Sequence, residues 1–287
     1  MHTTTAAAAR PRRVLPFAAL LVTIVSVQFG AAFAKQLFPV LGVERATFLR
    51  LGLAALLLAP VLKPWRVRVS AREWPLLLAY SLVLGGMNLC FYLAVQRIPL
   101  GIAVALEFIG PLGLAVSLSH RRIDLLWVAL AVLGLLLLLP LQSQGQSLNP
   151  VGVIFALIAA AFWAAYSLLA RRIGTRQGTA IIGIAMPIAA LVMLPFAALQ
   201  AGSITLTPHL ALAALVMALF SSALPYPLEM IALMGMPIRV YGTFTSLEPA
   251  FGTLMGLLVL RELPSAVQLA GIAAIVAASL GAAAFSA

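Results

Sequence analysis

The stretch IPLGIAVALEFIGP, residues 98–111, decides the fold, because its landmarks return 138 residues later as MPIRVYGTFTSLEP, residues 236–249. Both prolines of the first stretch recur in register in the second. Each stretch lies in an apolar segment that carries a single acidic residue, Glu107 in the first and Glu248 in the second. Interrupted apolar segments that repeat at matching places are typical of transporters with a site between two membrane units.

The composition excludes a soluble domain. Hydrophobic residues make up 63% of the 287 residues and charged residues 9%, against about 45–50% and about 25% in soluble domains. A helix needs about 20 apolar residues to cross a bilayer. The sequence therefore predicts an all-α polytopic membrane protein with ten transmembrane helices. The predicted spans are 14–34, 43–62, 74–96, 101–119, 123–140, 150–170, 179–199, 209–230, 239–260 and 266–285.

The net charge of +11 is a topology signal and not a nucleic-acid surface. If the N-terminus lies inside, thirteen basic residues lie on the cytoplasmic side and four on the other. The first group is Arg10, Arg12, Arg13, Lys63, Arg66, Arg68, Arg72, Arg121, Arg122, Arg171, Arg172, Arg176 and Arg239; the second is Lys35, Arg45, Arg97 and Arg261. This asymmetry predicts that both termini are cytoplasmic.

Five spans in each half is an odd number, so the second unit has to run upside down relative to the first. We expect a pseudo-two-fold axis in the membrane plane, as in many secondary transporters. Such units can exchange conformations, closing one side while opening the other. The predicted segments are a cytoplasmic tail at 1–13, a first five-helix repeat at 14–140, a periplasmic loop at 141–149 and an inverted repeat at 150–287.

Four charged residues stand out away from the ends of predicted spans, where a charge costs about 2.5–3.5 kcal/mol. They are Arg50, Glu107, Glu229 and Glu248. Glu107 and Glu248 lie nearest the middle of the bilayer and are the predicted proton-coupling residues and cation ligands. The alternative is a structural ion pair with Arg50, or a carboxyl group satisfied by neighbouring Ser, Thr or backbone groups. Glu229 lies near the inner surface, where snorkelling or a gate contact is favoured over substrate binding.

Two prolines predict helix breaks beside these carboxylates. Pro111 and Pro249 cannot donate a backbone hydrogen bond, so each frees the carbonyl four residues earlier, that of Glu107 and that of Thr245. A freed carbonyl suits an ammonium or a hydroxyl group. The alternative is an ordinary proline kink that neighbouring Ser or Thr side chains relieve.

Arg50 is the one cation near the middle of a predicted span, and its fork of donors matches a carboxylate. Together with Glu107 or Glu248 it would supply both poles that a zwitterion needs. A salt bridge or a snorkel toward the outer face is the alternative role. The other predicted substrate contacts are Asn88, Tyr92, Trp163, Tyr166, Tyr226 and Thr245, each of which could instead serve packing.

Enzyme and metal chemistry have no support in the sequence. The histidines, His2, His120 and His209, are scattered over the tail and loops and make no sensible metal site. The chain has no phosphate-binding Gly-Lys-Ser/Thr loop. We therefore expect no catalytic residues, no cofactor, no metal, no nucleic acid and no obligate protein partner. The expected partners are the lipid bilayer and a small-molecule substrate, with protons as a candidate coupling ion.

Several long runs carry a family resemblance across almost the whole chain. They are KQLFP (35–39), LGGMNLCFY (84–92), IPLGIAVALEFIGP (98–111) and ALPYPLEMI (223–231). These runs resemble bacterial amino-acid exporters of the EamA-type branch of the drug/metabolite transporter superfamily. The resemblance implies a ten-helix 5+5 inverted repeat in the bacterial inner membrane that exports small neutral amino acids such as threonine and homoserine.

The favoured function is proton-coupled amino-acid export by alternating access. A carboxyl group in a low-dielectric site favours its protonated form, and a nearby cation favours the ionised form. Glu107 or Glu248 could therefore exchange a proton for a substrate ammonium. The alternatives are efflux of other metabolites or of hydrophobic or cationic compounds, and a lipid scramblase or assembly partner without a small-molecule site.

Overall fold

A computed structural model describes residues 10–117, 124–138, 148–200, 207–236, 241 and 244–285. Residues 1–9 of the predicted tail and 141–147 of the predicted loop lie outside the described residues. Within them the regular secondary structure is helical, without a strand. The α-helices are α1 Arg10–Leu41, α2 Val43–Leu62, α3 Trp74–Val95, α4 Leu100–Glu107, α5 Ile109–Ser117, α6 Asp124–Leu138, α7 Pro150–Gln177, α8 Ile182–Leu199, α9 Pro208–Ala218, α10 Pro225–Gly235, α11 Glu248–Leu260 and α12 Ala266–Phe285.

Six helical segments are long and apolar enough to cross a membrane, which confirms the all-helical polytopic class. They are Val14–Leu41, Val43–Leu62, Trp74–Val95, Pro150–Ile173, Gly178–Leu199 and Pro208–Gly235. Four shorter apolar helices accompany them: Leu100–Leu114, Leu126–Leu137, Glu248–Leu260 and Ala266–Ala278.

The first helix extends beyond its predicted end at residue 34 and continues to Leu41. The prediction stopped there because Lys35 and Gln36 are polar. Both side chains are paired with neighbouring segments: Lys35 Nζ contacts Glu262 Oε1 at 2.6 Å, and Gln36 donates to the carbonyl of Val259 at 3.0 Å. Because the polar groups of Lys35 and Gln36 are hydrogen-bonded, the helix continues past them to Leu41.

The predicted span 209–230 lies within the membrane-span candidate Pro208–Gly235, in which a π-helical segment at Leu219–Ala223 separates α9 from α10. In this segment Leu224 N donates to Leu219 O, five residues back, at 2.9 Å. Pro225 has no N–H, so the carbonyl of Ser221 loses its helical donor. π segments of this kind are frequent at functional sites.

The fourth and ninth segments are interrupted at equivalent positions. α4 ends at Glu107 and α5 begins at Ile109, four and two residues before Pro111. In the later segment a turn at Ser246 and Leu247 comes directly before α11. Residue 108 and residue 246 differ by the same 138 positions that relate the two prolines. Both interruptions therefore lie beside a carboxylate.

Helix packing pairs the two halves of the chain. α2 packs along α8, α6 along α12 and α4 along α11. α3 packs along α7, while α1 packs along the π segment and α10. The approach of α1 to the π segment is close, since a Cβ on Gly30 would collide with the backbone of Ser221. The core is therefore built by contacts between the halves more than within them.

Candidate functional site

A polar cavity lies where these helices meet, near the interrupted segments. Its volume is about 70 Å³, and one water needs about 10–15 Å³. The cavity therefore has room for several waters or for part of a small polar solute. Its lining residues are Thr23, Val27, Gln28, Arg50, Met87, Asn88, Phe91, Glu107, Trp163, Tyr166, Pro225, Tyr226, Glu229 and Glu248.

Of the nine predicted substrate contacts, all but Tyr92 and Thr245 line this cavity. Tyr92 is fully buried behind Arg50, whose guanidinium carbon lies 4.8 Å from the centre of the tyrosine ring. Phe38 packs on the same ring at 5.1 Å. The hydroxyl of Thr245 donates to the carbonyl of Tyr241, one turn back, at 3.1 Å. Tyr92 and Thr245 therefore lie behind the residues that line the cavity and do not line it themselves.

Arg50 is buried, with 4% of its surface exposed, and is anchored by neutral groups. Nε donates to the hydroxyl of Ser222 at 2.6 Å, and Nη2 donates to the carbonyl of Ser221 at 2.8 Å. That carbonyl is the one that Pro225 leaves without a helical donor. Among the described residues Arg50 forms no salt bridge, so the alternative of an ion pair with Glu107 or Glu248 is not what holds it.

Glu107 and Glu248 both face the cavity without a partner from the described part of the chain. Glu107 is the last residue of α4 and is 8% exposed. Glu248 is the first residue of α11 and is half-buried. A carboxylate in a water-poor site favours a cation or a proton as its partner. These two groups are therefore available to an incoming ligand.

Glu229 also lines the cavity, contrary to the expectation that it would snorkel to the surface. Its carboxylate accepts a hydrogen bond from the hydroxyl of Tyr166 at 3.2 Å and another from Tyr241 at 2.8 Å. The expectation assumed a straight span, whereas α10 starts after the π segment. Three carboxylates and one guanidinium thus face one small volume.

Gln28 is a cavity residue that the sequence predictions did not select. It lies in α1 with 1% of its surface exposed, and its Oε1 has no hydrogen-bond partner among the described residues. Its signal in the sequence was weak, because an uncharged polar residue in a span is common. The internal offset provides a better signal, since residue 28 corresponds to the predicted contact Tyr166.

The same offset relates eight of the fourteen lining residues to one another. Asn88 and Tyr226, which are 138 residues apart, even bond directly, with Asn88 Nδ2 donating to Tyr226 Oη at 2.8 Å. Residues related by a two-fold axis can touch only near that axis. The four pairs are Gln28 with Tyr166, Met87 with Pro225, Asn88 with Tyr226 and Phe91 with Glu229.

The cavity suits a small ligand that is a zwitterion or a cation. The guanidinium can meet a carboxylate, and the carboxylates can meet an ammonium group. Within the described residues, no group of three or more His, Cys, Asp or Glu side chains is placed to hold a metal ion.

A helical membrane protein with a polar cavity between its two halves is the class that this fold and site define. Residues 150–283 match the model of the EamA-like transporter family. Over 267 residues, which are 93% of this chain and 90% of the relative, the sequence is 46% identical to the threonine/homoserine exporter RhtA of Escherichia coli strain K12. The exporter of the same name from Salmonella typhimurium strain LT2 is 45% identical over the same share. The chain belongs to the EamA-like transporter family.

A solved crystal structure of another protein shares the fold. Its TM-score is 0.64 at 21% identity, and the match covers 95% of this chain and 96% of that one. At this identity the likeness concerns the fold alone. The family and the relatives are named as transporters and exporters, and this confirms the predictions of a membrane transporter that is not an enzyme.

Proposed function

We propose that this chain is a secondary transporter that exports small neutral amino acids, such as threonine and homoserine, across the bacterial inner membrane. The observation that carries the proposal is the cavity, in which Arg50 faces Glu107 and Glu248 and neither carboxylate has a partner among the described residues. This arrangement offers both poles that an amino acid requires. The names of the curated relatives support the same substrate class.

The architecture we propose is a ten-helix 5+5 inverted repeat with units at 14–140 and 150–287, joined by a periplasmic loop at 141–149. The four repeat-related pairs in the cavity wall support a pseudo-two-fold axis through the site. Helix packing supports it too, since α3 on α7 has its counterpart in α10 on α1. The family match begins at residue 150, where the second unit starts. Both termini, including the tail 1–13, lie in the cytoplasm.

The side chains have separate roles in substrate binding. Arg50 binds the substrate carboxylate, with Nη1 as the nitrogen left after Nε and Nη2 bond the protein. Glu107 and Glu248 bind the ammonium group or a proton. Tyr92 holds the guanidinium from behind. The rest of the proposed wall is Asn88, Trp163, Tyr166 and Tyr226, with Thr245 one layer back.

Alternating access follows from exchange between the two units, with Pro111 and Pro249 as the helix breaks that let the segments bend. When the site opens to the outside, the amino acid leaves and Glu107 or Glu248 takes a proton. When it opens to the inside, the arriving ammonium replaces that proton, which is released to the cytoplasm. One proton entering thus accompanies one amino acid leaving.

The experiment that tests this function uses the full chain in proteoliposomes. Uptake of labelled homoserine is measured with and without a pH gradient and in competition with other amino acids. We expect threonine and homoserine to compete and an imposed gradient to drive accumulation. A chain that carries no amino acid in either condition contradicts the proposal, whereas transport without any response to the gradient removes proton coupling alone.

The cavity contains more carboxylates than cationic side chains, and this favours a second candidate function, the efflux of organic cations. Three carboxylates face one guanidinium, so a cation without a carboxylate group would also find partners. The two functions differ in their need for Arg50. Competition by an organic cation that matches competition by homoserine would favour the second candidate.

A further inference from the structure

We infer that Gln28 recognises a hydroxyl group on the side chain of the transported amino acid, and that it selects hydroxy amino acids over their deoxy counterparts. This inference rests on the proposed function, because it assigns one more contact to the same cavity. The observations that carry it are the burial, position and unused acceptor of this amide.

The amide oxygen of Gln28 is a buried hydrogen-bond acceptor that has no donor among the described residues. The residue is 1% exposed and lines the cavity, and its Oε1 is sealed from the bulk without a donor from the described residues. A buried acceptor without a donor destabilises a protein. A donor inside the cavity, carried by a water or by the substrate, removes this cost.

The chemistry of the neighbours selects the kind of donor. Glu107, Glu229 and Glu248 face the same cavity, and ionised carboxylates are stronger acceptors for an ammonium group than a neutral amide is. The substrate carboxylate has no proton to donate. The remaining donor on a small neutral amino acid is a side-chain hydroxyl, and Gln28 offers the neutral acceptor that matches it.

The position of Gln28 fits the reach of such a side chain. A Cβ on Gly252 would lie 3.3 Å from its Oε1 and 3.0 Å from Val104 Cγ2, so this oxygen lies in the seam between α11 and α4. Gly252 is four residues from Glu248, and Val104 is three residues from Glu107. The amide oxygen therefore lies against the two helices that carry Glu107 and Glu248, about one helical turn along each chain from these residues. A substrate whose ammonium group meets those carboxylates therefore has its side chain next to the same two helices.

Gly252 also keeps the amide in place, because its missing side chain lets α11 approach α1 closely. A methyl group there would press on Gln28 Oε1 and on Val104. A confined acceptor discriminates well, since a substrate without the hydroxyl leaves it unpaired. Selection for the hydroxyl therefore comes from this confined amide oxygen in the wall of the cavity.

The test compares three substrates in proteoliposomes that contain the full chain. Homoserine and threonine both become 2-aminobutyrate when their hydroxyl is removed, so this single compound is the deoxy control for each. We expect the wild-type chain to prefer the hydroxy compounds over 2-aminobutyrate by about tenfold or more and Gln28→Leu to lose most of that preference, measured as the ratio of hydroxy to deoxy transport within each variant. Gln36→Leu makes the same change on the exposed side of α1 and should keep the preference.

The outcomes separate this inference from the proposed function. Equal losses for all three substrates in Gln28→Leu, or an unchanged preference, overturn the role of Gln28 and leave amino-acid export standing. A wild-type chain that carries none of the three overturns the proposed function itself. If Gln28→Leu does not accumulate, Gln28→Met, which keeps the length of the side chain, is tested in its place. The same ratio of hydroxy to deoxy transport then decides the role of Gln28. Gly252→Ala should lower the ratio in the same direction.

Discussion

Two contacts at different depths in the molecule relate differently to the internal offset of 138 residues. In the centre, Asn88 and Tyr226 are equivalent residues that bond each other at 2.8 Å. At one end of the bundle, Lys35 contacts Glu262 at 2.6 Å. The offset maps this second pair onto Ile173 and Asp124, which cannot form the same ion pair. The centre follows the offset and the end departs from it.

The Lys35–Glu262 pair ties three segments together. Lys35 Nζ also donates to the carbonyl of Ile98 at 3.0 Å, and Glu262 Oε2 accepts from the backbone N–H of Leu100 at 2.8 Å. α1, the start of α4 and the link between α11 and α12 meet at this point. The contact therefore closes one end of the bundle.

The difference between the Asn88–Tyr226 and Lys35–Glu262 contacts indicates which contacts are kept during a transport cycle. If the two units exchange conformations, a contact between equivalent residues maps onto itself and is present in both states. A contact without a counterpart belongs to one state only. On the proposed mechanism, the Asn88–Tyr226 bond is retained throughout, and the Lys35–Glu262 pair has to break whenever its end opens.

The largest effect is expected for a carboxylate in the centre. Glu107→Gln removes a proton site, so export driven by a pH gradient should fall to background while exchange of one amino acid for another continues. The control Glu44→Gln, in the first turn of α2, should keep gradient-driven export. Wild-type rates for Glu107→Gln in proteoliposomes would remove this residue from the coupling mechanism.

A smaller but selective loss is expected for Arg50→Lys. The single ammonium of Lys cannot keep both anchoring bonds, to Ser222 and Ser221, and also present a donor to the substrate as Nη1 does. Transport of homoserine should therefore fall by about tenfold more than that of 3-aminopropanol, its analogue without a carboxylate. Arg66→Lys, in the turn after α2, is the matched control and should change neither. Equal losses for the two compounds would mean that Arg50 is structural and makes no contact with the substrate.

The pair at the end of the bundle should control which side of the membrane reaches the cavity. We expect Lys35→Met to raise labelling of a Val27→Cys reporter, in a Cys90→Ala background, by an impermeant thiol reagent added on the Lys35 side. The physical reason is that the ion pair stabilises the closed end. Lys63→Met, at the far end of α2, serves as the control. Labelling that stays the same from both sides would show that the pair does not gate the cavity.

The smallest effect is expected for the central pair. Tyr226→Phe removes two hydrogen bonds, from Asn88 Nδ2 to the tyrosine hydroxyl at 2.8 Å and from that hydroxyl to Asn88 Oδ1 at 3.2 Å, and such bonds average about 0.6 kcal/mol each within membranes. Asn88 Nδ2 keeps its other acceptor, the carbonyl of Leu84 at 2.7 Å. We expect a small fall in melting temperature and equal labelling of the reporter from both sides. A shift toward one side would break the comparison, because a contact shared by both states cannot favour either.

The charged residues of the site were predictable because a membrane makes them costly. Arg50, Glu107 and Glu248 stand out in apolar spans on energetic grounds alone, and the structure brings all three to one cavity. The partners of Arg50 were not predicted, since a carboxylate is the obvious partner for a guanidinium. A signal for them existed: Pro225 lies four residues after Ser221 and frees the carbonyl that Arg50 binds.

The rest of the wall depended on geometry that the sequence does not display. The depth assigned to Glu229 assumed a straight helix, and the π segment changes where α10 begins and which way it faces. Gln28 became conspicuous only through its missing hydrogen-bond partner, which is a three-dimensional property. Tyr92 and Thr245 were selected because they are polar and lie at the predicted depth of the site. Tyr92 instead packs against the guanidinium of Arg50, and the hydroxyl of Thr245 donates to the carbonyl of Tyr241, one turn back.

The anchoring of Arg50 by Ser221 and Ser222 has a consequence for biogenesis. The arginine is synthesised 171 residues before the first of its two partners. At about 5–20 residues per second, the ribosome needs about 10–30 s to make that stretch. During this interval α2 holds a guanidinium whose native acceptors do not yet exist, so the nascent chain has to accommodate it at the lipid surface or at the translocon until α9 and α10 arrive.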